Sequence, residues 1–206
     1  MNRLSATLYD RTMAGVEAAG LATWRDELLA DLEGRVVEVG AGTGANLDHY
    51  PPGLCELVLT EPDPRMRARL HARLARSPRD ATVLDAPAER LPYPDGYFDA
   101  AVSTLVLCSV PDPAAALGEL HRVLRPGGSL LVIEHVRGAP GTWSERWQRL
   151  VEPLWSHVAG NCHLTRDTAR SLAGAGFETA GLRATNLERA PAVIRPAIRG
   201  IVSRST

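Results

Sequence analysis

The sequence contains no lysine, and all 23 of its basic residues are arginine. That absence excludes a catalytic lysine, either as a Schiff-base amine or as a general base. It reads as a coding bias, because the arginines are interleaved with 24 acidic residues and the formal net charge is −1. No basic field therefore draws the chain to nucleic acid, and no such partner is expected. Cysteine is also scarce: Cys55, Cys108 and Cys162 are odd in number and far apart, without a Cys-x-x-Cys pair. Neither a disulfide framework nor a spaced zinc motif follows, and no metal is expected. There is no run of about 18 apolar residues. Nor does the N-terminus join a basic stretch to an apolar core and a small-residue cleavage site. No transmembrane segment is expected, and the expected location is cytoplasmic.

The 206 residues, 45% hydrophobic and 23% charged, suit a single domain spanning 1–206. Short apolar runs alternate with helical periods, the pattern of an α/β fold with a doubly wound, mostly parallel sheet. Leu21, Trp24, Leu28, Leu29 and Leu32 predict a helix over 16–32, ended by Gly34. Strands are predicted at 35–39, 56–60, 82–85, 98–105 and 129–134, with strand character resuming at 177–182. Helices are predicted at 65–76, with Met66, Leu70 and Leu74 inward, and at 113–124. A short helix is expected after the glycine turn, through Leu47. Three of the four tryptophans, Trp143, Trp147 and Trp155, lie in an insertion over 137–168, read as a helical cap between strands five and six. Trp143 and Trp147 fall on one helix face. With Cys162 they either line an apolar acceptor pocket or simply pack the helix.

The first strand ends in Glu38-Val39-Gly40-Ala41-Gly42-Thr43-Gly44. Glycines at alternate positions remove side chains where backbone must turn sharply and lie against a ligand. The spacing differs from the Gly-x-Gly-x-x-Gly turn of dinucleotide enzymes and suits an adenosine carrying an amino-acid tail. Glu38, Gly40, Ala41, Gly42, Gly44 and Asn46 are the candidate contacts there. Glu61, at the end of the second strand, has the carboxylate needed to accept from two ribose hydroxyls, and Pro62 follows it. Met66 either packs on an adenine face or belongs to the core. Ala88 and Glu89 would edge the adenine, and Thr104 and Leu105 would border the amino-acid end.

These motifs, with Phe98-Asp99 and Leu124-Arg125-Pro126-Gly127-Gly128, resemble the class I S-adenosylmethionine-dependent methyltransferases. Longer strings resemble one group, the methyltransferase-like alkyl thiol S-methyltransferases of mammals. They include Gly42-Thr43-Gly44-Ala45-Asn46-Leu47, Ser103 to Val110, Glu134-His135-Val136, Glu152-Pro153-Leu154-Trp155 and Cys162-His163-Leu164-Thr165-Arg166. The resemblance implies a seven-stranded sheet with its last strand antiparallel. It also implies S-adenosyl-L-methionine as donor, S-adenosyl-L-homocysteine as product, and a small-molecule thiol as acceptor. Two departures stand out: the sequence shows no counterpart of the family's N-terminal hydrophobic membrane segment, so membrane residence is not expected to carry over, and Pro87 replaces an aspartate that many members aim at the adenine amino group.

A thiol has a pKa near about 8.5, so a mild base suffices to activate it. His135, just past the fifth strand, is the first candidate for that base and His163 the second. Both have a structural alternative as hydrogen-bonded histidines. Cys108 and Cys162 form, with His163, a conceivable soft-metal set, but their spacing fits no metal motif. Two further functions stay open: methyl transfer to oxygen, nitrogen or carbon of a metabolite or lipid, and cofactor binding without transfer. The oligomeric state is not legible.

Overall fold

The structure, a computed structural model, describes residues 13–205. The strands form where β-branched and leucine-rich runs meet glycine or proline breaks. They are β1 Arg35–Val39, β2 Glu56–Thr60, β3 Thr82–Leu84, β4 Phe98–Thr104, β5 Leu124–His135, β6 Phe177–Glu178, β7 Arg183–Asn186 and β8 Pro196–Arg204. Their order is β3-β2-β1-β4-β5-β8-β6, with β7 also on β8. Pairs β1·β2, β1·β4, β2·β3 and β4·β5 are parallel, while β8 runs antiparallel to β5 and to β6 and β7.

Period-two alternation divides the core between the two faces of the sheet. Val37, Val39, Ala101, Leu130 and Val132 meet one set of helical residues, including Leu117, Leu120 and Leu172. Their neighbours Val36, Ala100, Val102 and Leu131 meet Leu29 and Leu70 on the other face. The helices are α1 Ala22–Leu29, α2 Pro64–Leu74, α3 Pro113–Val123, α4 Trp143–Val158 and α5 Thr168–Gly174. Both α2 and α3 begin with an aspartate cap and a proline in the first turn, Asp63-Pro64 and Asp112-Pro113.

Several expected elements change. The helix over 16–32 is kinked at Gly20, whose φ of 133° is not helical, so α1 starts afresh at Ala22. The short helix through Leu47 is a run of turns instead. Gly42 and Gly44 have φ of 59° and 85° there, outside the right-handed helical region. The fifth strand begins at Leu124, directly after α3, rather than at 129. Of the strand character expected over 177–182 only β6 forms; one turn, Thr179–Gly181, follows, and β7 begins beyond that range at Arg183. That break lies where two backbones touch. A Cβ on Gly181 would sit 2.1 Å from the Ile201 carbonyl oxygen, and one on Gly200 would sit 2.2 Å from that of Gly181. The eight strands thus occupy seven positions, because β6 and β7 lie along the same partner.

Candidate active site

The carboxyl ends of β1, β2, β4 and β5 converge around the glycine turn. Gly40, Gly42 and Gly44 are all left-handed, but they serve different needs. A Cβ on Gly40 would meet Val106 at 2.7 Å, and one on Gly44 would meet Leu47 and Leu70 below 3.0 Å. Those two glycines permit packing. Gly42 is open, with nothing nearer than the Gly40 carbonyl at 3.9 Å, so it offers bare backbone to a ligand.

Glu38 lies beneath this turn, 3% exposed. It accepts from Asn46 Nδ2 at 2.8 Å and from the Tyr50 hydroxyl at 2.7 Å. Burial raises its carboxyl above the ordinary range, opposed by those two bonds. Asn46 also donates to Thr104 Oγ1 at 2.9 Å, and its own oxygen accepts from Arg25. Arg25 is paired in turn with Glu17 at 2.9 Å. Glu38 and Asn46 therefore brace the turn from below. The bracing roles of Arg25 and Tyr50 were not legible in the sequence, since only folding brings α1 and the segment before Pro51 under β1. A cleft of about 660 Å³ adjoins this network, with Glu17, Arg25, Thr43 and His49 among its walls.

Glu61 stands just past β2, 7% exposed. It accepts from Gly42 N–H at 2.8 Å and Asp63 N–H at 2.9 Å. Burial pushes its carboxyl up, while these backbone donors and Arg67 pull it down. Ala41 N–H donates to the Thr60 carbonyl at 2.8 Å, closing the turn onto β2. Met66 is half-buried in the first turn of α2, and Pro62 is exposed beside it. Ala88 is buried, and the Glu89 carboxylate accepts from Asp112 N–H at 3.2 Å. The openness at Gly42 and the acidic end of β2 fit an adenosine ligand with a charged amino-acid tail.

A second group lies at the ends of β4 and β5. Leu105 has φ of 59°, a left-handed conformation for a non-glycine residue. The loop after it is held by Glu134, whose Oε1 accepts from Ser103 Oγ, Val106 N–H and Leu107 N–H at 2.9 to 3.0 Å. Burial raises the Glu134 carboxyl against those donors. The neighbouring His135 is 3% exposed, and its Nε2 lies 2.9 Å from Cys162 Sγ. Cys108, 2% exposed, is the third member: the three ligand-type atoms lie within 4.8 Å of one another. The thiols are pushed apart. Cys108, donating to Cys162 in a buried setting, is raised, and Cys162, accepting from Cys108 and supported by His135 and Trp155, is lowered.

His163 does not join this cluster. Its Nδ1 pairs with Glu152 at 2.8 Å, its Nε2 lies 3.3 Å from Asn161 Oδ1, and its backbone N–H donates to the Cys108 carbonyl at 2.8 Å. With both ring nitrogens engaged, it fixes the loop after α4. The cysteine set considered with His163 is completed by His135 instead, a pairing hidden by 27 residues of separation. The tryptophans also divide. Trp155 is half-buried against the cluster, whereas Trp143 and Trp147 are 71% and 42% exposed, stacked edge-to-face at 5.7 Å. They point outward on α4 because Glu145 and Gln148 occupy its inner face. No helix among the described residues is long and apolar enough to cross a membrane.

Comparisons with known proteins agree with this geometry. A methyltransferase domain family matches residues 37–132. Human thiol S-methyltransferase TMT1B is 42% identical over 145 residues, covering 69% of this chain and 59% of the relative. The chain thus spans under two thirds of that protein. The rat TMT1B is 37% identical over 182 residues, covering 84% of this chain and 73% of its own length. Among solved structures, an S-adenosylmethionine-dependent methyltransferase of Thermotoga maritima, described as a possible histamine N-methyltransferase, superposes with a TM-score of 0.69. It is 24% identical and covers 97% of this chain and 95% of its own, a likeness of fold.

Proposed function

Because the chain belongs to the class I S-adenosylmethionine-dependent methyltransferases, in the family of the thiol S-methyltransferases, we propose that it methylates the sulfur of a small, apolar thiol. The observation that carries this reading is the His135 imidazole, buried at the end of β5 and holding a thiol sulfur at 2.9 Å. An imidazole that helps to lower the pKa of one thiol is suited to holding a second sulfur there in its ionised form. The 37% identity to rat thiol S-methyltransferase TMT1B, extending over 84% of this chain, supports the same acceptor class.

In this reading Glu61 accepts from the ribose hydroxyls and the open backbone at Gly42 lies against the ligand. Met66, Ala88 and Glu89 border the adenine, and Thr104 and Leu105 border the methionine end. S-adenosylmethionine, when bound, supplies a methyl group already activated on a sulfonium. Holding an acceptor sulfur about 3 Å from it and in line provides much of the rate. The segment 137–168 acts as a cap over the acceptor side, supported by Arg166, which donates to the carbonyls of Leu107 and Val110.

A transfer assay with labelled S-adenosylmethionine tests the proposal, using alkyl and aryl thiols against phenols and amines of matched shape. Methylation of the thiols alone is the expected result. Preference for a phenol or amine overturns the acceptor assignment, and cofactor binding without transfer to any member of the panel overturns the enzyme reading.

A further inference from the structure

We infer that Cys108, His135 and Cys162 form a zinc site of three protein ligands, whose fourth position takes the acceptor thiol as thiolate. The second half of this inference rests on the thiol reading above; the metal site itself does not.

The donor set is the first argument. Two thiolates and an imidazole suit zinc in a tetrahedral shell, and three protein ligands leave one position for substrate. The atoms are already close. Zinc bonds of about 2.3 Å to sulfur and 2.0–2.1 Å to nitrogen put neighbouring ligand atoms about 3.5–3.8 Å apart in a tetrahedron. Here all three lie within 4.8 Å of one another, with His135 Nε2 and Cys162 Sγ at 2.9 Å. Opening that one contact by well under an ångström and drawing in the others completes the geometry.

The supports are the second argument. Each ligand comes from a different element, and each is fixed by its backbone. Cys108 follows β4 in the loop tied to Glu134 through the Val106 and Leu107 N–H groups. His135 ends β5, paired with Ala197 of β8. Cys162 is anchored on both sides: its N–H donates to the Ala159 carbonyl at 3.3 Å, and the next N–H, of His163, reaches the Cys108 carbonyl at 2.8 Å. A site held this way needs little reorganisation to bind an ion. Cys108 and His135 are buried while Cys162 is half-exposed, so the approach for a fourth ligand lies on the cap side. Trp155, beside Cys162, has a buried indole N–H without a nitrogen or oxygen partner, and it supports the Cys162 sulfur as an outer donor would support a metal ligand.

The chemistry balances. On binding zinc the acceptor thiol releases its proton to water. Its sulfur lone pair then attacks the methyl carbon and forms the new C–S bond. The bond between that carbon and the sulfonium sulfur breaks, its electron pair stays on the cofactor, and the products are a thioether and S-adenosylhomocysteine.

The test uses the full chain in reduced form. Zinc content after equilibration with zinc ion should approach one per chain, and cobalt(II) should give the thiolate charge-transfer and tetrahedral visible bands. Cys108→Ser, His135→Ala and Cys162→Ser should each weaken zinc binding by at least about tenfold, the loss that even an outer partner can cause. S-adenosylmethionine affinity, measured by calorimetry, should persist in these variants as proof of folding. Cys55→Ser, at an exposed cysteine, should leave zinc uptake unchanged. Adding an apolar thiol should shift the cobalt bands, and a phenol of the same shape should not. Folded protein with free thiols that takes up neither metal overturns the site, even where thiols are methylated. Metal uptake with no spectral response to thiols overturns the fourth-position role, leaving the ion as a structural tie.

Discussion

Glu61 and Glu38 are two buried carboxylates of one site with different tasks. Glu61 accepts from Gly42 N–H at the open turn, so on the proposed reading Glu61→Ala should weaken S-adenosylmethionine binding several-fold in calorimetry. Its carboxyl is raised by burial, which gives that affinity a pH dependence. Acceptance from ribose hydroxyls requires the ionised form, so affinity should fall as pH drops through a value above the usual 4.5. The sign for stability is the reverse: a raised folded-state pKa makes ionisation cost stability as pH rises. Affinity measured from pH 7 downward should therefore decline while the fold itself is not lost, and a flat profile would remove Glu61 from the contact. On the proposed reading His135→Ala should lower turnover and leave cofactor affinity intact, since the imidazole lies against Cys162 at the end of β5. The positions of Glu61, the glycines and His135 were legible because each falls at a strand end, which local pattern marks. Arg25 and Tyr50 were not, because their roles arise from contacts between residues remote in sequence, and for the same reason Cys108 was grouped with His163 instead of His135.

At the scale of elements, glycines separate positions where backbone is crowded from those where it is not. Gly34, with φ of 74°, closes α1 onto β1, and a Cβ there would sit 2.3 Å from Asp99 Oδ2. Asp99 accepts from Arg35 N–H and Arg125 Nε, both at 2.8 Å. Gly34→Ala should thus destabilise by about 2–3 kcal/mol in urea unfolding, from left-handed strain plus the broken carboxylate contact. Gly118, exposed within α3, has open space where a methyl group would stand, with nothing within 4 Å, and Gly118→Ala should stabilise by roughly 0.5–1 kcal/mol. Asp99 is held below its ordinary 3.8 chiefly by the Arg35 N–H. Its contribution is present above that value and fades as pH falls through the lower folded-state one. The strands β1, β2 and β4 were legible from apolar runs, whereas the division of β6 from β7 was not. That division depends on Gly181 meeting the backbone of Ile201, a contact that no local pattern encodes.

Across the whole molecule, cap and sheet are one mechanical unit. Gln148 accepts from Gly138 N–H and donates to the carbonyls of Val136 and Val193, while Arg166 reaches the loop after β4. Near-ultraviolet dichroism, dominated by the tryptophans of α4, and far-ultraviolet dichroism should therefore report the same denaturation midpoint. Two separate transitions would mean that the cap unfolds alone. The doubly wound order was legible from the alternation of strands and helices, but not the span of β5, whose proline-glycine start looks like a break. The position of β8 has a consequence for how the chain is made. The strand that fills the gap between β5 and β6 is the last of the eight described to leave the ribosome. Until then the apolar edge at Leu130–Ile133 has no partner on that side, and β6 and β7 have nothing to pair with. Completion of the sheet on that side waits for β8, and a chain stalled before it presents the open edge on which nascent proteins aggregate.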